Sequence, residues 1–158
     1  MKKLLLLLFS LLLSFNSYGE WTKIDENGFN DSYYIDFNSI KDRSGIVVWW
    51  EMKDMTEAFN GMSSIQRYYK GDCNEYRTTT LSIISYTERM GTGESETVGG
   101  GNTNLEDIVG WNYPSPDTIE YTHLSLACLI AEYSSQSNYE DVLSGLIAIF
   151  ESTDWENE

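Results

Sequence analysis

Over residues 46–53 the chain alternates as a β-strand must. Ile46, Val48, Trp50 and Met52 fall on one side, and Val47, Trp49, Glu51 and Lys53 on the other. The first side is wholly apolar, whereas the second begins apolar and turns charged, so cover is expected on both sides over part of the length. Such a strand needs neighbours, and the flanking sequence supplies them. Residues 21–24 alternate and lead to Asn27-Gly28, a dipeptide suited to tight turns. Residues 32–36 are rich in Tyr and Ile, residues 41–45 read as a turn, and residues 62–70 and 76–89 give two further strands, the last dense in β-branched and aromatic residues. The connections are too short for parallel crossovers, which predicts an antiparallel meander.

After the strands the pattern changes. Residues 91–104 hold five glycines among Ser, Thr and Asn, a mobile loop by composition with one short strand near residues 94–98. Pro114 and Pro116 end this region, and residues 118–131 read as a helix with Asp117 as its N-cap. Ile119, Leu124, Leu126, Ala127, Cys128 and Ile130 approximate one stripe, which turns Cys128 toward the sheet. A polar linker, 132–138, precedes a second helix, 139–152, capped by Ser137 or Asn138. Its Val142, Leu143, Leu146, Ile147 and Phe150 form one apolar face. A helix of that length is marginal alone in water, so the face should pack on this domain's sheet or on a second copy of the chain as a homodimer. The chain closes on an acidic tail, residues 154–158.

The first nineteen residues read as a cleaved signal peptide, with Lys2 and Lys3 ahead of an apolar run and Ser17-Tyr18-Gly19 before the cut. The apolar run of about ten residues is short of the roughly twenty needed to span a bilayer. No cysteine stands at the cleavage site to receive lipid, so an exported domain without stable membrane insertion is expected, in the periplasm or at the cell surface. The remaining two cysteines, Cys73 and Cys128, are then expected to form a disulfide. They are far from a Cys-x-x-Cys spacing, so their role is structural.

Without residues 1–19 the chain carries 25 acidic and 8 basic residues, a net charge of −17, and Lys or Arg is absent after Arg89. Nucleic acid is excluded as a partner, because phosphate neutralisation needs clustered cations. The charge suits a solvated acidic surface, or the steering of a basic protein partner. No catalytic constellation is evident. The single histidine, His123, lies mid-helix without a nucleophile elbow and reads as a partly exposed helical residue. One His and a paired cysteine couple leave no zinc site. The run 25–31 has its glycine in the wrong place for a calcium loop and reads as a turn. Gly91-x-Gly93 and residues 99–101 lack the context of a nucleotide-binding loop. No cofactor or metal is expected, and neither is an enzyme. Of the five tryptophans, Trp50 is assigned to the core, with Trp111 and Trp155 toward solvent.

Several residues in order carry a resemblance: Trp21; Tyr34-x-Asp36 followed by Ile40; Gly45 before the Trp-bearing strand; Tyr68 ahead of Cys73; Arg77, Ser82 and Tyr86; Met90-Gly91-x-Gly93; Trp111, Pro114 and Cys128. Over residues 20–131 the chain resembles the surface-adhesin protein E family of Gram-negative bacteria. The resemblance implies a small antiparallel sheet packed by a C-terminal helix and joined to it by a disulfide. It also implies an adhesin-like, non-catalytic role in binding host matrix and plasma proteins, with dimerisation through the sheet. This chain departs from the family in its acidity and in the added segment 132–158, and no binding residue carries across by motif. The fold expected is therefore α+β: a five- to six-stranded antiparallel sheet, a C-terminal helix and one disulfide, Cys73–Cys128. The organisation expected is a leader (1–19), an adhesin-like domain (20–131) and an acidic extension with an amphipathic helix (132–158). A competing function, favoured by the charge, is a periplasmic inhibitor or immunity-type protein that captures a basic enzyme such as a lysozyme.

Overall fold

The computed structural model describes residues 20–100, 104–134, 136 and 139–153. The expected leader, the caps Ser137 and Asn138, and the tail with Trp155 lie outside the described residues. Six strands form one antiparallel sheet in sequence order: β1 (Trp21–Glu26), β2 (Ser32–Arg43), β3 (Ile46–Phe59), β4 (Met62–Asp72), β5 (Arg77–Tyr86) and β6 (Ser95–Gly99). The meander expected from the short connections is the observed topology, and the glycine-rich stretch supplies the sixth strand. Among the described residues three α-helices follow: α1 (Leu105–Val109), α2 (Ile119–Tyr133) and α3 (Tyr139–Ser152).

Turn chemistry sets the hairpins. The Asn27 carboxamide oxygen accepts from the backbone N–H groups of Phe29 and Asp31, which closes the β1–β2 turn. At the β3–β4 hairpin Asn60 and Gly61 both take positive φ, 51° and 78°, the pair of conformations that Asn-Gly adopts most readily. A register shift in β2 between Asp36 and Lys41 lets that strand bend.

The side of β3 that turns charged is the core side. Val47 and Trp49 are fully buried against Ile35 and Phe37 of β2 and against Leu124, Leu126, Ala127 and Ile130 of α2. Ile46, Val48 and Trp50, on the wholly apolar side, are only half-buried, and Trp50 stacks there on Tyr68 with ring centroids 4.8 Å apart. Trp49, and not Trp50, is therefore the core tryptophan. The reason lies in Gly71, which faces Val47 across the β3–β4 ladder. A Cβ at Gly71 would stand 2.6 Å from Leu124 Cδ1 and 2.9 Å from Trp49 Cζ3, so α2 settles on a spot where the sheet has no side chain. The opposite face is covered in part by a turn at Arg89–Gly91, which overlies the fully buried Met52, and by α1, whose Leu105 packs against Gly99.

Helix α2 starts one residue later than expected. Thr118 is its N-cap and its hydroxyl accepts from the Tyr121 N–H, whereas Asp117 adopts φ 67° just outside. Cys128 on α2 is bonded to Cys73, the residue after β4, with Cα atoms 5.8 Å apart. The disulfide thus ties helix to sheet.

The apolar face of α3 finds its partner within the chain. Leu143 is buried, and Leu146, Ile147 and Phe150 pack on the core, with Phe150 at 6.3 Å from the Phe37 ring. Truncating the chain after Ala131 would uncover Phe37 and Ile24, at a cost of about 2–3 kcal/mol after the helix's own ordering is offset. A fall in Tm of about 10 °C is expected by calorimetry. An unchanged Tm would mean that α3 adds nothing to the core.

Candidate functional site

Helix α2 covers only one end of its sheet face. Beyond His123 the cross-strand pairs Glu51–Arg67 and Lys53–Ile65 carry the face on toward the β3–β4 hairpin, with the β1–β2 turn at its side. Between turn and hairpin lies a groove of about 700 Å3, lined by Met55, Met62 and Ile65 and bordered by Phe29 and Phe59. Those two phenylalanines are 83% and 64% exposed, unusual for rings of this size.

The walls are held by polar contacts. Asp31, at the foot of the β1–β2 turn, pairs with Lys53 at 2.7 Å and accepts from the Thr56 N–H at 3.0 Å. The Thr56 hydroxyl donates to the Asn30 carbonyl at 2.6 Å. Burial pushes the Asp31 carboxyl up, but the Lys53 ammonium and the Asn27 amide outweigh it and hold it below the usual carboxylate range. These bonds fix the turn against β3, so the groove is preformed.

The floor leads into a buried charge network. Arg67 lines the groove and lies 3.5 Å from Glu51, whose side chain is 4% exposed. Glu51 in turn meets His123 Nδ1 at 2.5 Å. Burial pushes the Glu51 carboxyl up, yet His123 and Arg67 more than offset this and leave it below its ordinary value. His123 is fully buried with the Tyr33 ring edge-on at 5.8 Å, which corrects the expectation of a partly exposed helical histidine. The signal was present in the sequence: His123, Ala127 and Ile130 stand at i, i+4 and i+7, on the core stripe of α2. Its Nε2 has no hydrogen-bond partner among the described residues.

A second depression adjoins the first. Met62 lines both, and the neighbouring polar cleft of about 290 Å3 carries Glu94 and Glu96. Six of the eight cations in the described residues are committed to carboxylates: Lys23, Lys53, Arg67, Lys70, Arg77 and Arg89. The other two, Lys41 and Arg43, sit at the opposite end of the sheet, beside the β2–β3 turn. Among the described residues no cation pairs with Glu57, Glu94 or Glu96. The end of the sheet that holds the groove is therefore acidic.

The remaining candidates are placed elsewhere. Trp111 is half-buried under Arg77, whose Cζ lies 4.4 Å from the ring centroid, with Lys70 Nζ at 5.2 Å, so it is less exposed than expected. Of the run 25–31, Asp25 and Glu26 end β1 and residues 27–31 form the turn built on Asn27. Among the described residues no group of three His, Cys, Asp or Glu side chains is arranged to hold a metal ion. No helix among them is long and apolar enough to cross a membrane. Sequence reasoning did not find the groove, because its residues come from two separated hairpins and share no motif.

The model of the surface-adhesin protein E family matches residues 21–129. No curated protein sequence matches the chain. Among solved structures, crystal form II of Haemophilus influenzae protein E is 19% identical, with a TM-score of 0.55 over 73% of this chain and 91% of that one. Protein E from non-typeable Haemophilus influenzae is likewise 19% identical, with a TM-score of 0.53 over 85% of this chain and 91% of that one. At this identity the structural likeness concerns the fold.

Proposed function

Because the chain belongs to the surface-adhesin protein E family, we propose that it is an exported, non-catalytic protein-binding module that acts at the cell surface through the groove beside Phe29 and Phe59. The observation that carries this reading is the exposure of two large aromatic rings on a preformed groove, since buried aromatic anchors dominate protein interfaces. Residues 1–19 act as its leader, residues 20–131 as the binding domain, and α3 as a stabilising addition. The competing reading, a periplasmic protein that captures a basic enzyme, is favoured by one observation, the charge of −17 after residue 19.

Two measurements test it. Protease added to intact cells should cleave the chain, and complete protection would remove the surface role and leave the periplasmic one. Cells displaying the Phe29→Ser/Phe59→Ser variant should lose at least about tenfold in adherence to immobilised host matrix protein, as expected for loss of interface anchors. Tm should stay within about 2 °C, because both rings are solvent-exposed. Undiminished adherence by a folded variant removes the groove from the mechanism.

A further inference from the structure

We infer that the groove end of the sheet docks a basic polypeptide segment that carries an apolar side chain next to its cations. This rests on the protein-binding reading above and adds the chemistry of the partner. The groove and the acidic cleft adjoin at Met62, which lines both, so a single extended segment laid across the β3–β4 hairpin meets Phe59 on one side and Glu94 and Glu96 on the other. The two cations that line the groove are already neutralised, Lys53 by Asp31 and Arg67 by Glu51. What remains for a partner is negative: Glu57 on the rim and the two carboxylates in the cleft, all exposed.

Charge complementarity decides between occupants. An acidic segment would bring carboxylates against Glu57, Glu94 and Glu96 with no unpaired cation at this end to receive them, since Lys41 and Arg43 lie at the far end of the sheet. A purely apolar segment would cover the phenylalanines but shield the glutamates from water without pairing them. A second copy of this chain would place two strongly acidic ends together. A basic, partly apolar segment satisfies both halves of the surface, and the net charge of the chain steers it in.

The test uses the chain from Glu20 onward and two fluorescein-labelled peptides, one alternating arginine with leucine and one with glutamate in place of arginine, read by fluorescence anisotropy. The basic peptide should bind, more weakly as salt is raised, and the acidic one should not. Phe59→Ser and the double variant Glu94→Gln/Glu96→Gln should each weaken binding about tenfold. The double variant Glu132→Gln/Glu140→Gln, which removes the same charge from the helices, should change it less than about twofold. Equal losses from the two double variants would show a general field and overturn the site, as would tight binding of the acidic peptide or an unaltered affinity for Phe59→Ser. If the peptide results fail while Phe29→Ser/Phe59→Ser cells still lose adherence, the partner chemistry is wrong and the binding role of the groove stands.

Discussion

Replacing Cys73 and Cys128 together by alanine is expected to lower the unfolding free energy by about 4 kcal/mol, measured as a fall in denaturant midpoint at unchanged slope. The bond closes a loop with a sequence separation of 55 that contains β5, β6, α1 and most of α2. Opening it restores to the unfolded chain all the conformations that the closed loop denied. A domain of this size is stable by about 5–15 kcal/mol, so the variant should approach the edge of folding at 37 °C. In the folded state α2 would still be held by Leu124, Ala127 and Ile130 against Val47 and Trp49. The expected product is therefore a weakened native fold that retains its sheet. A loss below about 1 kcal/mol would show that packing alone sets the position of the helix and that the bond is redundant.

His123→Leu is expected to cost about 3–5 kcal/mol, because it leaves the buried Glu51 carboxylate with only Arg67, at 3.5 Å, to balance it. The double variant His123→Leu/Glu51→Leu removes both polar partners and should recover much of that loss, since two apolar groups leave no buried carboxylate behind. The pair also sets a pH dependence. Glu51 titrates below its ordinary value of 4.5 in the folded chain. Its contribution is thus complete above that value and is lost as pH falls through the folded one. The wild-type chain should lose stability on acidification below about pH 4.5 more steeply than the double variant does. A double variant as unstable as His123→Leu would show that the leucines fail to pack and that the loss reflects shape.

Much of the architecture was legible because local chemistry wrote it. Asn27-Gly28 sits in a turn, residues 46–53 are a strand, the stripe Leu143 to Phe150 packs inward, and the two cysteines are joined. What was not legible depends on partners distant in sequence. Glu51 made the charged end of the second side of β3 look solvent-facing, yet its partner His123 lies 72 positions on, and together they are buried on the core side. Gly71 gives no sign in the sequence that a helix will rest on it. The turn at Arg89–Gly91 is held by Asp54, a buried carboxylate that binds the Arg89 side chain and accepts from the Met90 N–H, and no periodicity announces such a contact. The groove is a remainder, the part of a sheet face that one helix is too short to reach, and only the packed structure reveals a remainder.

The order of the strands has a consequence in time. Every ladder in the sheet joins a strand to its immediate predecessor, so each can zip onto the last as the chain is delivered from its N-terminus, with no wait for distant segments. Helices α2 and α3 are the exceptions, since they must return to β2 and β3 and to β1 after the whole sheet has been laid down. Cys128 therefore reaches Cys73 late, when β4 and β5 are already paired, and the bond acts as a latch on a finished surface. Until α2 docks, Trp49, Val47 and Phe37 lie open to water, and during that interval the chain is most exposed to aggregation.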